Sequence, residues 1–265
     1  MKAKSCFVLD LDGTVYLGQQ PIEGAVAFVR RHWEDVAFHF LSNNTSKSPE
    51  NYVQRLRAMG IPVTPDRILS PLDPLQAYVR EQGLRRVYAV ANAAFLACLR
   101  ERLPDVTVYG GDTPDFPDED MEAVILAYDT ELTYAKLARS ALLLQRPEVA
   151  FLATHPDLVC PSEAGPLPDV GSFLALYETA TGRRPDRIFG KPDPAVLAPL
   201  LARYPRSEMV MVGDRLSTDK LLAENAGIDF ILVLSGEARR ADLPGLQRQP
   251  TLVLDHLGLL DAPLS

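Results

Sequence analysis

The chain has 265 residues, 47% of them hydrophobic and 23% charged, with a formal net charge of −8. That length can bury a full core and hold one domain or two, and the balance is ordinary for a folded globular protein. The negative excess disfavours nonspecific binding to nucleic acid or to an anionic membrane, so an anionic substrate would need locally placed positive charge. Cys6, Cys98 and Cys160 are too few and too scattered for a disulfide framework and read as small core or loop residues. Asp10 interrupts the only early apolar run, so no secretory segment is expected, and no stretch approaches the roughly 18 apolar residues of a membrane-spanning helix. The expectation is a reduced, cytoplasmic protein with no membrane and no nucleic-acid partner.

In chain order, the run Cys6-Phe7-Val8-Leu9 reads as a buried parallel strand, broken by Asp10-Leu11-Asp12-Gly13-Thr14. Asp10 and Asp12 then stand at or just past its carboxyl end, where open α/β sheets place their ligands. Two carboxylates so close repel each other, and a divalent cation or a shared proton would offset that. Val36–Leu41 is a second strand, ending at Ser42-Asn43-Asn44-Thr45. A helix follows, with Pro49 in its first turn, Tyr52, Val53, Leu56 and Met59 at helical spacing, and Gly60 closing it.

The middle of the chain offers three more strands, Arg86–Ala91, Met121–Ala127 and Val149–Thr154, separated by helical stretches. Gly110–Glu119, rich in Pro, Gly and Asp, should be an exposed loop. Arg187–Phe189 leads into Gly190-Lys191-Pro192, Met209–Val212 ends at Gly213-Asp214, and Ile228–Leu234 and Thr251–Leu254 complete the set. Strand, polar tip and helix in alternation predict an α/β fold, a doubly wound parallel sheet. The three middle strands predict a smaller α/β unit inserted into it, with limits near Tyr78 and Pro185. The domains expected are therefore 1–77 with 186–265, and 78–185.

Polar residues collect at four strand ends: Asp10 with Asp12, Ser42 with Asn43, Lys191, and Asp214 with Asp219. Strand tips of a parallel sheet share one edge, so these can converge. Carboxylates hold a hard cation, turn amides and a hydroxyl bind phosphate oxygens, and a lysine supplies a point charge. One carboxylate is then left to act as a nucleophile and another as acid and base. A kinase-type phosphate loop is absent, because Gly190-Lys191 is followed by Pro192 and has no glycine five residues before it.

Asp10-Leu11-Asp12-Gly13-Thr14, Ser42-Asn43-Asn44, Gly190-Lys191-Pro192 and Gly213-Asp214-Arg215-Leu216-Ser217-Thr218-Asp219 resemble the four motifs of the haloacid dehalogenase superfamily, in its phosphatase branch. Asn43–Ser48, Met59-Gly60-Ile61, the large insert and Ala180–Pro185 further resemble the NagD-like, 4-nitrophenylphosphatase-type members, which carry an α/β cap of the C2 type. The resemblance covers essentially the whole chain. It implies a Rossmann-like core with an inserted cap, and a Mg²⁺-dependent phosphatase acting on a small phosphorylated metabolite. It implies Asp10 as the nucleophile that becomes an aspartyl-phosphate, Asp12 as general acid and then base, and Lys191 neutralising charge. Ser42 and Asn43 would bind phosphate. Mg²⁺ would be held by the Asp10 side chain, the Asp12 backbone carbonyl and the Asp214 side chain, with Asp219 orienting a metal-bound water or Lys191. Sugar phosphates, nucleotide monophosphates, pyridoxal phosphate, phosphoglycolate and glycerol phosphate all fit the class. The alternatives are a phosphotransferase of the same superfamily and a noncatalytic phosphate- or metal-binding module. A homodimer through the cap is also implied.

Two stretches depart from the family pattern. Thr154-His155-Pro156-Asp157 has His155 where relatives have asparagine, and Asp169-Val170-Gly171-Ser172 stands where they often have a Pro-Gly-x-Gly-Ser run. Asp157 is expected to fix this loop or meet the substrate. His155 either touches a leaving group or is an exposed loop histidine.

Overall fold

The computed structural model describes residues 4–113, 115, 118–162 and 164–260. In chain order the elements are β1 (Cys6–Asp10), β2 (Tyr16–Leu17), β3 (Gln20–Pro21), α1 (Glu23–Arg31), β4 (Ala37–Leu41), α2 (Pro49–Ala58) and β5 (Ile68–Leu69). Next come α3 (Leu72–Glu81), β6 (Arg86–Val90), α4 (Ala93–Arg102), β7 (Thr107–Tyr109), β8 (Ala123–Leu126), α5 (Tyr134–Leu143), β9 (Ala150–Ala153), β10 (Val159–Cys160), β11 (Leu167–Pro168), α6 (Val170–Thr181) and β12 (Arg187–Ile188). The chain ends through α7 (Ala198–Leu201), β13 (Met209–Gly213), α8 (Leu221–Ala226), β14 (Asp229–Val233) and β15 (Leu252–Leu254). None of the described helices is long and apolar enough to cross a membrane.

The chain divides into two compact units. The first comprises Met1–Ser42, Pro49–Leu69 and Lys191–Ser265, and the second Asn43–Ser48 and Ser70–Gly190. The limits read from the sequence pattern, 78 and 185, fall inside the second unit. Tyr78 lies within α3, whose apolar face (Leu72, Leu75, Val79) packs with the second sheet, so the helix goes with that sheet as a whole.

The first unit is built on a six-stranded parallel sheet ordered β15-β14-β13-β1-β4-β5. Alternation along β1 divides the core. Phe7 and Leu9 face one way, with Val26, Phe28, Tyr52 and Leu56 of α1 and α2. Cys6 and Val8 face the other, with Leu200, Leu222 and Ala226 of α7 and α8. Period-2 side chains on a sheet buried on both faces require this double winding. Trp33 stacks on Phe38 with centroids 6.1 Å apart, an ordinary packing role.

The second unit repeats the plan on five parallel strands ordered β12-β9-β8-β6-β7. Val87 and Ala89 pack on α3 and α4, and Tyr88 and Val90 on α5 and α6. Here the structure corrects the sequence expectation for Arg187–Phe189. That run does not join the first sheet as one of its strands. Arg187 and Ile188 pair with Leu152 and Ala153 of β9, and the Asp186 carboxylate accepts the Phe151 amide at 2.7 Å. Lys191 is therefore reached from the end of the second sheet. Of the expected Gly110–Glu119 loop, Gly110–Thr113 form a turn, whereas residues 114, 116 and 117 lie outside the described residues.

His39 is the polar exception in the first core. It sits in the middle of β4, is 2% exposed, and meets the Arg67 guanidinium at 3.3 Å through Nε2. Burial, then the charges of Arg67 and Arg203, push its imidazole down from 6.5 to about 4. The fold therefore takes His39 neutral. Its contribution to stability is complete above pH 6.5 and is lost as pH falls from 6.5 towards 4. We expect this to cost ~2 kcal/mol of stability across that window. Urea unfolding at the two ends of the range should show the loss in the native protein and a flatter profile in His39→Leu. An unchanged profile in the variant would assign the acid sensitivity elsewhere.

Candidate active site

Strand register carries the first site's residues to one sheet edge. Asp10, the last residue of β1, lies opposite Leu41 on one side, and Leu9 lies opposite Val212 on the other. Ser42 and Gly213-Asp214 therefore emerge at the same level as Asp10, at the carboxyl ends of the strands. The turn after β1 closes on itself through Gly13 N–H to Tyr16 O at 2.6 Å and Val15 N–H to Leu11 O at 2.9 Å. Gly13 has φ +89°, and a Cβ there would run into the Asp214 carboxylate. Gly236 approaches Asp214 just as closely from the loop after β14. A glycine on each side lets two backbones close round one aspartate.

Asp10, Asp214 and Asp219 bring carboxylate oxygens within 4.8 Å of one another, and all three residues are buried. Lys191, 3% exposed, donates to Asp10 Oδ1 and, at 2.6 Å, to Asp219 Oδ1. Asp219 also accepts the Arg215 amide at 3.0 Å, inside a single wide π-type turn spanning Leu216–Lys220. Such turns often mark functional sites. Asp214 Oδ2 accepts the Glu237 amide at 2.7 Å, while its Oδ1 is buried with no hydrogen-bond partner among the described residues. Ser42 follows β4 directly, and its hydroxyl donates to the Tyr52 hydroxyl at 3.4 Å. Asp12 is half-buried, and its Oδ1 is 3.5 Å from the Gly18 amide.

Three buried carboxylates face one ammonium. Burial, outweighing the Lys191 charge, raises the Asp10 carboxyl well above the usual range, and Asp219 and Asp214 add to the rise. Burial and then the Asp219 charge push Asp214 up to about 7. Burial works against the Lys191 ammonium, but Asp10 and Asp219 outweigh it and hold its pKa above the ordinary value. The cluster thus carries more negative charge than its own lysine can offset. The orphaned Asp214 oxygen and the all-oxygen donor set fit a hard divalent cation.

The second unit assembles a different set. Asn43, expected beside Ser42 as a phosphate ligand, groups with the second unit and donates to both Asp157 oxygens at 3.3–3.4 Å. His155 is fully buried, which corrects the alternative of an exposed loop histidine. Its Nδ1 faces Asp157 Oδ2 at 3.5 Å and its Nε2 faces Asp169 Oδ1 at 3.6 Å. Asp169 also caps α6 by accepting the Val170 amide at 2.7 Å. Two carboxylates thus flank the ring, one near each nitrogen, and one ring nitrogen with Asp157 and Asp169 forms a set whose ligand atoms lie within 4.8 Å of one another.

Sequence reasoning passed over Tyr52, read as a core position of its helix, and the Ser235-Gly236-Glu237 loop. That loop closes the site by Ser235 Oγ–H to Gly13 O at 2.6 Å and by the Glu237 amide on Asp214. Its signal was present: it is a polar tip after a strand, like Gly213-Asp214.

The family model for haloacid dehalogenase-like hydrolases matches residues 7–102, and a second, HAD-hydrolase-like model matches residues 188–260. An acid sugar phosphatase of Staphylococcus haemolyticus is 31% identical over 265 residues, covering 98% of this chain and 96% of that protein. A 5'-nucleotidase of Bacillus subtilis is 30% identical, covering 97% of each. The crystal structure of a 4-nitrophenylphosphatase from Thermotoga maritima superposes with a TM-score of 0.87 at 34% identity, covering 98% of each chain. Motif order, sheet topology and these matches agree, and the chain belongs to the haloacid dehalogenase superfamily, as a phosphatase of its NagD-like, 4-nitrophenylphosphatase-type branch.

Proposed function

We propose that the chain hydrolyses the phosphate monoester of a small metabolite through an aspartyl-phosphate on Asp10. The observation that carries this is the buried Asp10 carboxylate held by Lys191 at the end of β1, with Asp219 holding the same lysine. Lys191 fixes one Asp10 oxygen and leaves the other to attack phosphorus in line. Its charge offsets that of the incoming phosphoryl group. Asp12, two residues on and half-buried, protonates the leaving oxygen and then takes a proton from the water that attacks the acyl phosphate. Ser42 donates a hydroxyl to the phosphate, and Asn43 is assigned the same role on the resemblance alone. The Asp10 and Asp214 side chains and the Asp12 carbonyl would hold Mg²⁺, with Asp219 acting through Lys191. Bound there, the ion supplies Lewis-acid polarisation of the phosphoryl oxygens and neutralises excess carboxylate charge.

The relatives' names, an acid sugar phosphatase and a 5'-nucleotidase, support a phosphorylated sugar or nucleotide as substrate. His155 and Asp157 are proposed to select the substrate. A domain division into core and C2 cap, a cytoplasmic location and a homodimer through the second unit belong to the same proposal and rest on the resemblance. The test is phosphate release from 4-nitrophenyl phosphate and from a panel of sugar and nucleotide monophosphates. Activity should vanish in EDTA and return with Mg²⁺. Full activity after exhaustive chelation would remove the metal, and no release from any substrate would remove the function.

A further inference from the structure

We infer that Arg55 is a positioning residue for Asp12, acting through the β2–β3 hairpin; this rests on the phosphatase proposal with Asp12 as acid and base. Arg55 lies one turn beyond Tyr52 on α2, on a helix whose polar residues would otherwise face solvent. Its guanidinium instead stacks over the Tyr16 ring, 3.5 Å from the centroid, and donates through Nη2 to the Gly18 carbonyl. Gly18 in turn directs its own amide at Asp12 Oδ1, 3.5 Å away. Asp12 and Tyr16 are also joined as bridge partners, and the Tyr16 carbonyl takes the Gly13 amide at 2.6 Å. One planar cation thus grips the hairpin at two points. At each point the gripped residue bonds into the Asp12–Gly13 turn.

Tyr16 is 2% exposed, and its phenol is raised above its ordinary range by burial first and then by Tyr52. Asp10 and Asp12 raise it further while Arg55 lowers it. A flat guanidinium can stack on a ring and bond a carbonyl at once, whereas an ammonium cannot match both. Without it, the Gly18 carbonyl and the Tyr16 ring lose the α2 side chain that holds both. The Asp12 carboxyl would then sample orientations away from the leaving oxygen. Misplacing a proton donor costs most where the leaving group needs the proton most.

The experiment compares native protein, Arg55→Ala, Arg55→Lys and Tyr16→Leu on 4-nitrophenyl phosphate and on glycerol phosphate, with kcat and KM separated and melting temperatures recorded. We expect Arg55→Ala to lose about tenfold or more in kcat on the alkyl phosphate and about threefold or less on the aryl phosphate, with KM little changed. Arg55→Lys should recover part of the loss, and Tyr16→Leu should show the same leaving-group signature as Arg55→Ala. Asp12→Asn sets the pattern against which the signature is read. Equal losses on both substrates, a change confined to KM, or no change would overturn the inference. Should Arg55→Ala fail to fold, the same split, smaller, in Arg55→Lys supports it, and its absence there overturns it. A native protein inactive on both substrates would overturn the phosphatase proposal itself, whereas an active one indifferent to Arg55 would overturn only this inference.

Discussion

Asp10→Asn is expected to lose about 10³-fold or more in turnover while folding as well as the native chain, or better. An amide oxygen is a poor nucleophile towards phosphorus, and no neighbouring carboxylate is placed to substitute for it. Asp214 is held by the Glu237 amide, and Asp219 is committed to Lys191 and to the Arg215 amide. The stability half of the expectation follows from the same cluster. Asp10 shares a buried site with two like charges, and its carboxyl is raised well above the usual range by burial and by Asp219 and Asp214. Replacing it with an isosteric amide removes one repelling charge and keeps the volume. In metal-free buffer the variant should melt at or above the native temperature, which reports a site under electrostatic strain. Phosphate release and thermal melting, both with and without Mg²⁺, measure the two halves. Activity within about tenfold of native would remove Asp10 from its role, and a clear drop in melting temperature would show that the carboxylate is structural.

Much of this arrangement is legible in the sequence, and the reasons are local. Cys6–Asp10 and Met209–Gly213 are continuous apolar runs ending in acids, and such runs become buried parallel strands wherever the sheet is covered on both faces. Convergence of Asp10, Ser42 and Asp214 then required only that strand tips share an edge, whereas Lys191 follows β12, a strand of the second sheet, and that rule does not place it. What resisted reading depended on long-range partners. Arg187-Ile188 is too short to reveal which sheet it joins, and only its register against Leu152 and Ala153 decides. Ile68-Leu69 and Thr107–Tyr109 gave no strand signal for the same reason: two or three residues carry no periodicity. The wide turn that seats Asp219 has no sequence marker beyond a polar run. His155 and Asp169 are the most instructive pair. They stand fourteen residues apart in the sequence, and in the structure they face each other at 3.6 Å. A buried imidazole needs polar partners, and spacing along the chain does not show that Asp157 and Asp169 flank this one.

Lys191→Met should lose at least about 10²-fold in turnover and, unlike Asp10→Asn, should be markedly less stable. The ammonium is buried between Asp10 and Asp219 and is the only side-chain cation bonded to either carboxylate among the described residues. Methionine fills a similar volume, so cavity formation is a minor effect. What remains is a set of three buried carboxylates that have lost the ammonium bonded to two of them. Breaking a buried pair from one side costs about 3–5 kcal/mol, because the surviving charges stay desolvated and unpaired. The second substitution Asp219→Asn separates stability from catalysis. It removes a charge that Lys191 had balanced, so Lys191→Met with Asp219→Asn should recover much of the lost stability. Turnover should stay low in the double variant, since nothing replaces the charge next to Asp10. Urea unfolding of the native protein, both single variants and the double variant closes the cycle. A sum of independent effects in that cycle would mean that Lys191 and Asp219 do not act as a pair. Recovery of turnover together with stability would mean that Lys191 serves the fold and not the phosphoryl group.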